Sequence, residues 1–251
     1  MSSSSSSSSS PGSSLGRLRH LARKVRGKLG GRPANVGDHF GPDNDVAFAV
    51  LEEEGDAAFQ RVGASLVGAW EVGITDLARV LEPRLESAAK YKLTERLSDS
   101  LVPTQQPLQD AKHAFSAAVK KGAQAGLKSG RLADAVAPAV TMVDGLADPV
   151  AKGWQKSAEY MQPLWETLPD GARVKADYAA LGGRLQALLA EQAGVFRQAM
   201  AALPGQPDLE RGIRDAMEAW YAKVSVGIEL IVYDGRTLLV KAAERLPVRS
   251  A

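Results

Sequence analysis

The sequence contains no cysteine in 251 residues. That excludes disulfides, thiolate metal ligands and cysteine nucleophiles, and it argues against a secreted, cross-linked scaffold. Histidine is scarce. His20, His39 and His113 are far apart and no two stand three or four residues from each other, so no helical metal pair is present and no metal site is expected. No serine sits in a Gly-x-Ser-x-Gly elbow. The glycines at 122, 126 and 130 follow no strand and precede no lysine-serine pair, so they form no phosphate loop. No apolar run reaches the eighteen or so residues that a transmembrane helix needs. These absences leave no catalytic motif, no cofactor site and no evident small-molecule substrate site. The expectation is a non-enzymatic protein.

What is present is amphipathic. Hydrophobic residues make up 45% and charged residues 24%, close to globular averages and enough for a core. The formal charge of +2 conceals an asymmetry. Residues 1–37 hold seven Lys/Arg and no Asp or Glu, whereas the remainder holds 24 basic against 29 acidic side chains. The body therefore offers no net basic face for nucleic acid.

Two domains are expected. Residues 1–37 join a serine tract to LGRLRHLARKVRGKLGGR, in which Leu15, Leu18, Ala22, Val25 and Leu29 form an apolar stripe. Arg17, Arg19, Arg23, Lys24, Arg26 and Lys28 crowd the other faces. A serine-rich, arginine-rich, acid-free leader has the character of an organelle transit peptide. The same residues suit a helix lying in a membrane interface or a flexible basic tail.

Residues 38–251 read as a helical domain. Asp45 is placed to cap a helix on which Val62, Leu66, Trp70, Gly73, Leu77 and Leu81 form a stripe, and Pro83 should kink or end it. Pro103 and Pro107 mark a break. The glycines at 122, 126 and 130 read as a weak helix end. Val174 to Leu203 and Leu209 to Ile231 continue at helical spacing. Residues 228–242 admit either a helix or a hairpin turning at Asp234-Gly235; an isolated hairpin is marginal, so helix is preferred. The fold class is all-α, with five to seven amphipathic helices broken by proline and glycine, as a bundle or an extended array.

The organising stretch is Arg131–Leu168. From Leu146 the residues Val150, Trp154, Ser157, Met161, Trp165 and Leu168 recur at about 3.67 per turn, a period that holds one face of a straight helix in line. Leu146, Val150, Trp154, Met161, Trp165 and Leu168 are therefore the candidate lipid- or partner-binding face.

Within this stretch, Pro138, Val140, Val143, Asp144, Gly145, Pro149, Val150 and Trp154 form a pattern that resembles a segment of the plant and algal small-rubber-particle and lipid-droplet-associated protein family. The likeness spans Ala137–Trp154. Asp148 stands where that family tends to carry a small residue, and the aromatic comes later. The resemblance implies a helical protein that coats droplets from the cytosolic side and has no firmly assigned catalytic residue.

The leading expectation is thus a structural coat on a lipid monolayer or membrane surface, at the cytosolic face of lipid droplets. The alternative is a helical accessory subunit of a mitochondrial or plastid complex, imported by the leader and packed against partner helices. A third reading is a carrier holding an apolar ligand between its helices. From sequence alone, replacing Trp154 and Trp165 with Asp should abolish flotation with lipid and leave solubility intact.

Overall fold

The computed structural model describes residues 42–205 and 208–249, and among them no strand occurs. The helices in chain order are α1 Pro42–Leu81, α2 Ser87–Ser100, α3 Val102–Ser129, α4 Leu132–Asp144, α5 Ala147–Tyr160, α6 Gln162–Thr167, α7 Gly171–Ala201 and α8 Leu209–Ala243. The all-α fold expected from sequence is the one observed. The segment 228–242 belongs to helix α8.

Local chemistry explains most boundaries, and departs from expectation at three. α1 starts at Pro42, whose missing N–H costs nothing in the first turn. Asp45 therefore lies inside the first turn rather than ahead of it. α1 ends at Leu81, before Pro83, as proline requires. The expected break falls at the single residue Leu101, itself near helical geometry, which separates α2 from α3 and puts Pro103 in the first turn of α3; Pro107 makes no break and sits inside α3. The stripe from Leu146 to Leu168 is not one straight helix. It passes from α5 to α6 at Met161, just ahead of Pro163.

The long helices form a closed ring of five columns. α1 packs on α3, α3 on α4 and α5, these on α7, α7 on α8, and α8 back on α1. Cross-links fix the directions. Glu52 of α1 reaches Ser116 and Lys120 of α3, whereas Trp70, further along α1, reaches Leu97 just ahead of α3, so those two run antiparallel. Asp144 at the end of α4 meets Arg197 near the end of α7, and Trp154 of α5 meets Tyr178 near the start of α7. Arg184 of α7 meets Asp234 of α8.

Five alternating columns leave the first and last pointing the same way. Along the α1/α8 seam Glu54 pairs with Arg214, Arg61 with Glu218, Ser65 with Ser225 and Asp76 with Arg236. Both numbers rise together, so the seam is parallel. No loop joins these two columns.

Close backbone approach sets the contact between columns. Pro107 has no N–H, which strips the Pro103 carbonyl of its usual intrahelical partner. Gly153 of α5 backs directly onto that carbonyl, and a Cβ there would overlap it. Gly122 of α3 likewise lies against the Ala135 carbonyl of α4. This glycine is thus a packing contact rather than the weak helix end expected. Gly130 alone closes α3, in the left-handed region at φ 69°.

One contiguous core runs through all the helices, so the arrangement is a bundle and not an extended array. Gly122→Val should force α3 and α4 apart and lower stability by about 1–3 kcal/mol. Gly194→Ala on α7 meets no atom within 4 Å and should raise it by about 1 kcal/mol. Urea midpoints of the two variants against the parent chain measure both.

Candidate functional site

The six residues of the candidate face are brought together, but on the inside. Leu146, Val150, Trp154, Met161, Trp165 and Leu168 are 4%, 0%, 1%, 1%, 4% and 5% exposed. This corrects the expectation of an outward binding face. The physical reason lies in the neighbouring columns: α3 and α7 carry apolar stripes of their own, and these cover the α4–α6 stripe from both sides. Burying each large side chain in this way stabilises the fold by about 1.5–3 kcal/mol.

The two tryptophans of the stripe anchor an aromatic cluster. Trp154 stacks on Tyr178 at 4.9 Å between centroids and 18° between planes. Trp70 of α1 meets Trp154 edge-on at 6.2 Å, and Trp165 lies 5.7 Å from Tyr178. Each indole N–H is satisfied by a main-chain carbonyl: Trp154 donates to Tyr178 at 2.9 Å, Trp165 to Ala158 at 2.6 Å and Trp70 to Leu97 at 3.0 Å. Burial pushes the Tyr178 hydroxyl well above its ordinary range, against a smaller opposite pull from Ser157. Tyr178 is therefore a neutral packing group.

A second aromatic set, Phe59, Phe115 and Trp220, joins α1, α3 and α8. Here the Trp220 N–H has no hydrogen-bond partner among the described residues.

The residues of the resemblance take structural roles. Pro138 lies within α4, Val143 is buried, Asp144 pairs with Arg197, and Gly145 joins α4 to α5. The basic leader residues Arg17, Arg19, Arg23, Lys24, Arg26 and Lys28, with His20 and His39, lie outside the described residues.

Two open grooves flank α1. One, of about 620 Å³, runs between α1 and α3 over Gln60, Gly63, Gly68, Gln105, Lys112 and His113. The other, of about 400 Å³, lies between α1 and α8 over Ala69, Val72, Tyr233 and Arg236. Among the described residues no group of three or more His, Asp or Glu is placed to hold a metal ion. No helix among them is long and apolar enough to cross a membrane.

One charged cluster stands beside the first groove. Burial, and then the charge of Glu52, push the Asp56 carboxyl above its usual value of 3.8, opposed by Lys112, His113 and Lys120. Its Oδ1 has no hydrogen-bond partner among the described residues. In the sequence Asp56 is one acid among Glu52, Glu53 and Glu54, and nothing in its spacing reveals that Lys112, His113 and Lys120 of α3 stand beside it.

The sign of its effect on stability follows. A carboxyl with a raised folded pKa contributes stability fully below 3.8, and loses it as pH rises through the folded value. At neutral pH the buried charge is a penalty. Asp56→Asn should therefore melt higher than the parent at pH 7, with the advantage closing below about pH 4; thermal melts across that range check it. Trp154→Asp with Trp165→Asp, by contrast, places two carboxylates in the core and should unfold the chain rather than spare it.

Comparison with described protein families, with curated proteins and with solved structures found no match to this chain.

Proposed function

We propose that this chain is a non-enzymatic protein of lipid surfaces, closed as a bundle in water and opened when its helices lie on a lipid monolayer. The observation that carries the reading is the up-and-down ring. Consecutive columns are neighbours, and the α1/α8 seam has no connecting loop. Such a ring spreads into one flat layer of helices without any element passing another. All apolar stripes, including Leu146, Val150, Trp154, Met161, Trp165 and Leu168, then face the same side.

The energetics permit this exchange. Apolar area leaves the core and enters acyl chains, so the large hydrophobic term changes little. What the seam gives up is Glu54–Arg214, Arg61–Glu218 and Asp76–Arg236, and partly exposed ion pairs contribute about 0–1 kcal/mol each. The cytosolic face of a lipid droplet is the surface this reading favours. Trp154 and Trp165 already sit in an apolar site, so a blue shift of their fluorescence would not report opening, and flotation is the better readout.

A second reading has its own support. Gly63 and Gly68 on α1 have no atom within 4 Å of where a Cβ would stand, yet each costs the helix about 1 kcal/mol relative to alanine. A partner helix seated in the α1/α3 groove would account for both. This is the accessory-subunit reading, in a mitochondrial or plastid complex, with the bundle remaining closed.

The seam supplies the test. The Ser65 and Ser225 hydroxyls are 2.7 Å apart across it, and the chain has no cysteine to interfere. Ser65→Cys with Ser225→Cys should oxidise to a lock with unchanged helicity. The oxidised form should fail to float with triacylglycerol droplets covered by phosphatidylcholine, and reduction should restore flotation. Equal flotation of locked and reduced forms would reject opening at this seam. A locked form that instead co-purifies at fixed stoichiometry with a protein would favour the second reading.

A further inference from the structure

The parallel seam ends in two like poles. α1 stops at Leu81 and α8 at Ala243, and the Asp76–Arg236 pair crosses between them close to both ends. The last carbonyls of a helix carry its negative end. Two negative ends therefore stand side by side here, with no loop between them.

Arg84 sits at this point. Pro83 has no N–H, which ends the ladder of α1, and the Arg84 main-chain N–H turns to Leu81 at 3.0 Å. The Val80 carbonyl is left to the Arg84 side chain, which donates to it at 2.7 Å. The same guanidinium donates to the Leu246 carbonyl at 3.0 Å, just past the end of α8. One half-buried cation thus caps α1 and holds the tail of α8.

The tail then crosses the turn between α1 and α2. The Arg249 main-chain N–H donates to the Pro83 carbonyl at 3.2 Å, and its guanidinium pairs with Glu86 at 3.0 Å. Leu85 on one side and Leu246 on the other both pack on the core. The remaining charges of this pole are engaged elsewhere: Glu82 pairs with Lys90, and Arg245 with Asp170 ahead of α7.

We propose that Arg84 and the tail through Arg249 form a clasp that holds the parallel seam shut. Its part in lipid capture rests on the lipid-surface reading above, whereas the clasp itself acts in water. The ion pairs along the seam join side chain to side chain. Arg84 instead forks between a carbonyl that ends one column and a carbonyl that follows the other, so it ties their backbones together. A lysine has the charge but not the planar fork.

A single thiol tests this, because the chain has no cysteine of its own. Ser225 faces Ser65 within the seam and is 6% exposed, so Ser225→Cys should react slowly with a soluble disulfide reagent. Adding Arg84→Met keeps an apolar stem and removes both donors; it should speed that reaction by about tenfold or more with unchanged circular dichroism. Arg84→Lys should fall between the two. A chain ending at Leu246 loses only the Arg249 contacts and should show a smaller rise. Arg79→Met, one residue before Val80 and largely exposed, should leave the rate unchanged.

A second thiol separates opening from unfolding. Ser157 is buried against Tyr178 between α5 and α7, and Ser157→Cys should stay protected when Arg84→Met is added. If the thiols at 157 and 225 become reactive together, Arg84 holds the fold as a whole and the clasp is overturned. An unchanged rate at 225 overturns it as well. Arg84→Met alone should also float faster with the droplets used above. If it exposes the thiol at 225 and neither it nor the parent floats, the lipid-surface reading fails and the clasp stands. If the parent floats and Arg84→Met floats no faster, the part of the clasp in lipid capture is overturned.

Discussion

The stacked pair of Trp154 and Tyr178 is the contact on which the remaining structure depends. It joins α5 to α7, and the Trp154 N–H closes the same junction by donating to the Tyr178 carbonyl. Trp70 brings α1 to the pair, and Trp165 brings α6. Gly182 of α7 and Gly235 of α8 lie close enough to these rings that an added Cβ would stand 3.2 Å and 3.3 Å from its nearest ring atom or neighbour. Four columns of the ring are thus fixed around one slab of aromatic surface. Aromatic pairs add about 0.5–1.5 kcal/mol each beyond the area they bury, and here several share the same partners.

The odd number of columns imposes a second constraint. Antiparallel neighbours suit the dipoles of long helices, but a ring of five must contain one parallel junction, and it falls between α1 and α8. Opposite charges placed across that junction offset the misfit: Glu54, Arg61 and Asp76 on one side face Arg214, Glu218 and Arg236 on the other. The junction most in need of side-chain help is also the one that the chain itself does not bridge. These pairs are partly exposed, so their share of the junction's strength falls as salt rises.

Much of this was legible in the sequence because helical periodicity reports burial directly. The stripe through Val62, Leu66, Trp70 and Leu77 is the core face of α1, and the residues singled out between Leu146 and Leu168 do share one environment. Periodicity does not report what lies opposite a stripe, so a face expected to meet an external surface turned out to meet α3 and α7. Asp234-Gly235 carries the local signature of a hairpin turn, yet Gly235 lies within a helix, where Leu181 and Tyr178 stand 3.3 Å from the place of a Cβ. Pro107 reads as a break, yet α3 runs through it, and Gly153 lies beside the carbonyl it frees. In each case the deciding partner is distant in sequence. The exposed side chains of α8 were hidden for the opposite reason: Val226, Leu230 and Tyr233 merge with the buried residues at 224, 228, 231 and 232, and only the fold separates inner from outer positions.

The parallel first and last columns also decide where the chain enters and leaves. Pro42 opens α1 at one pole, beside the start of α8, whereas Arg249 lies at the other pole, where it contacts Pro83 and Glu86 beyond the end of α1. A 40-residue helix separates those poles by about 60 Å. The bundle is thus a strut with its two ends on opposite sides. The point where the chain enters α1 and the point where it leaves at Arg249 are a full molecular length apart. A circular permutant would need a linker long enough to run the whole strut, and an even-numbered bundle would need only a turn.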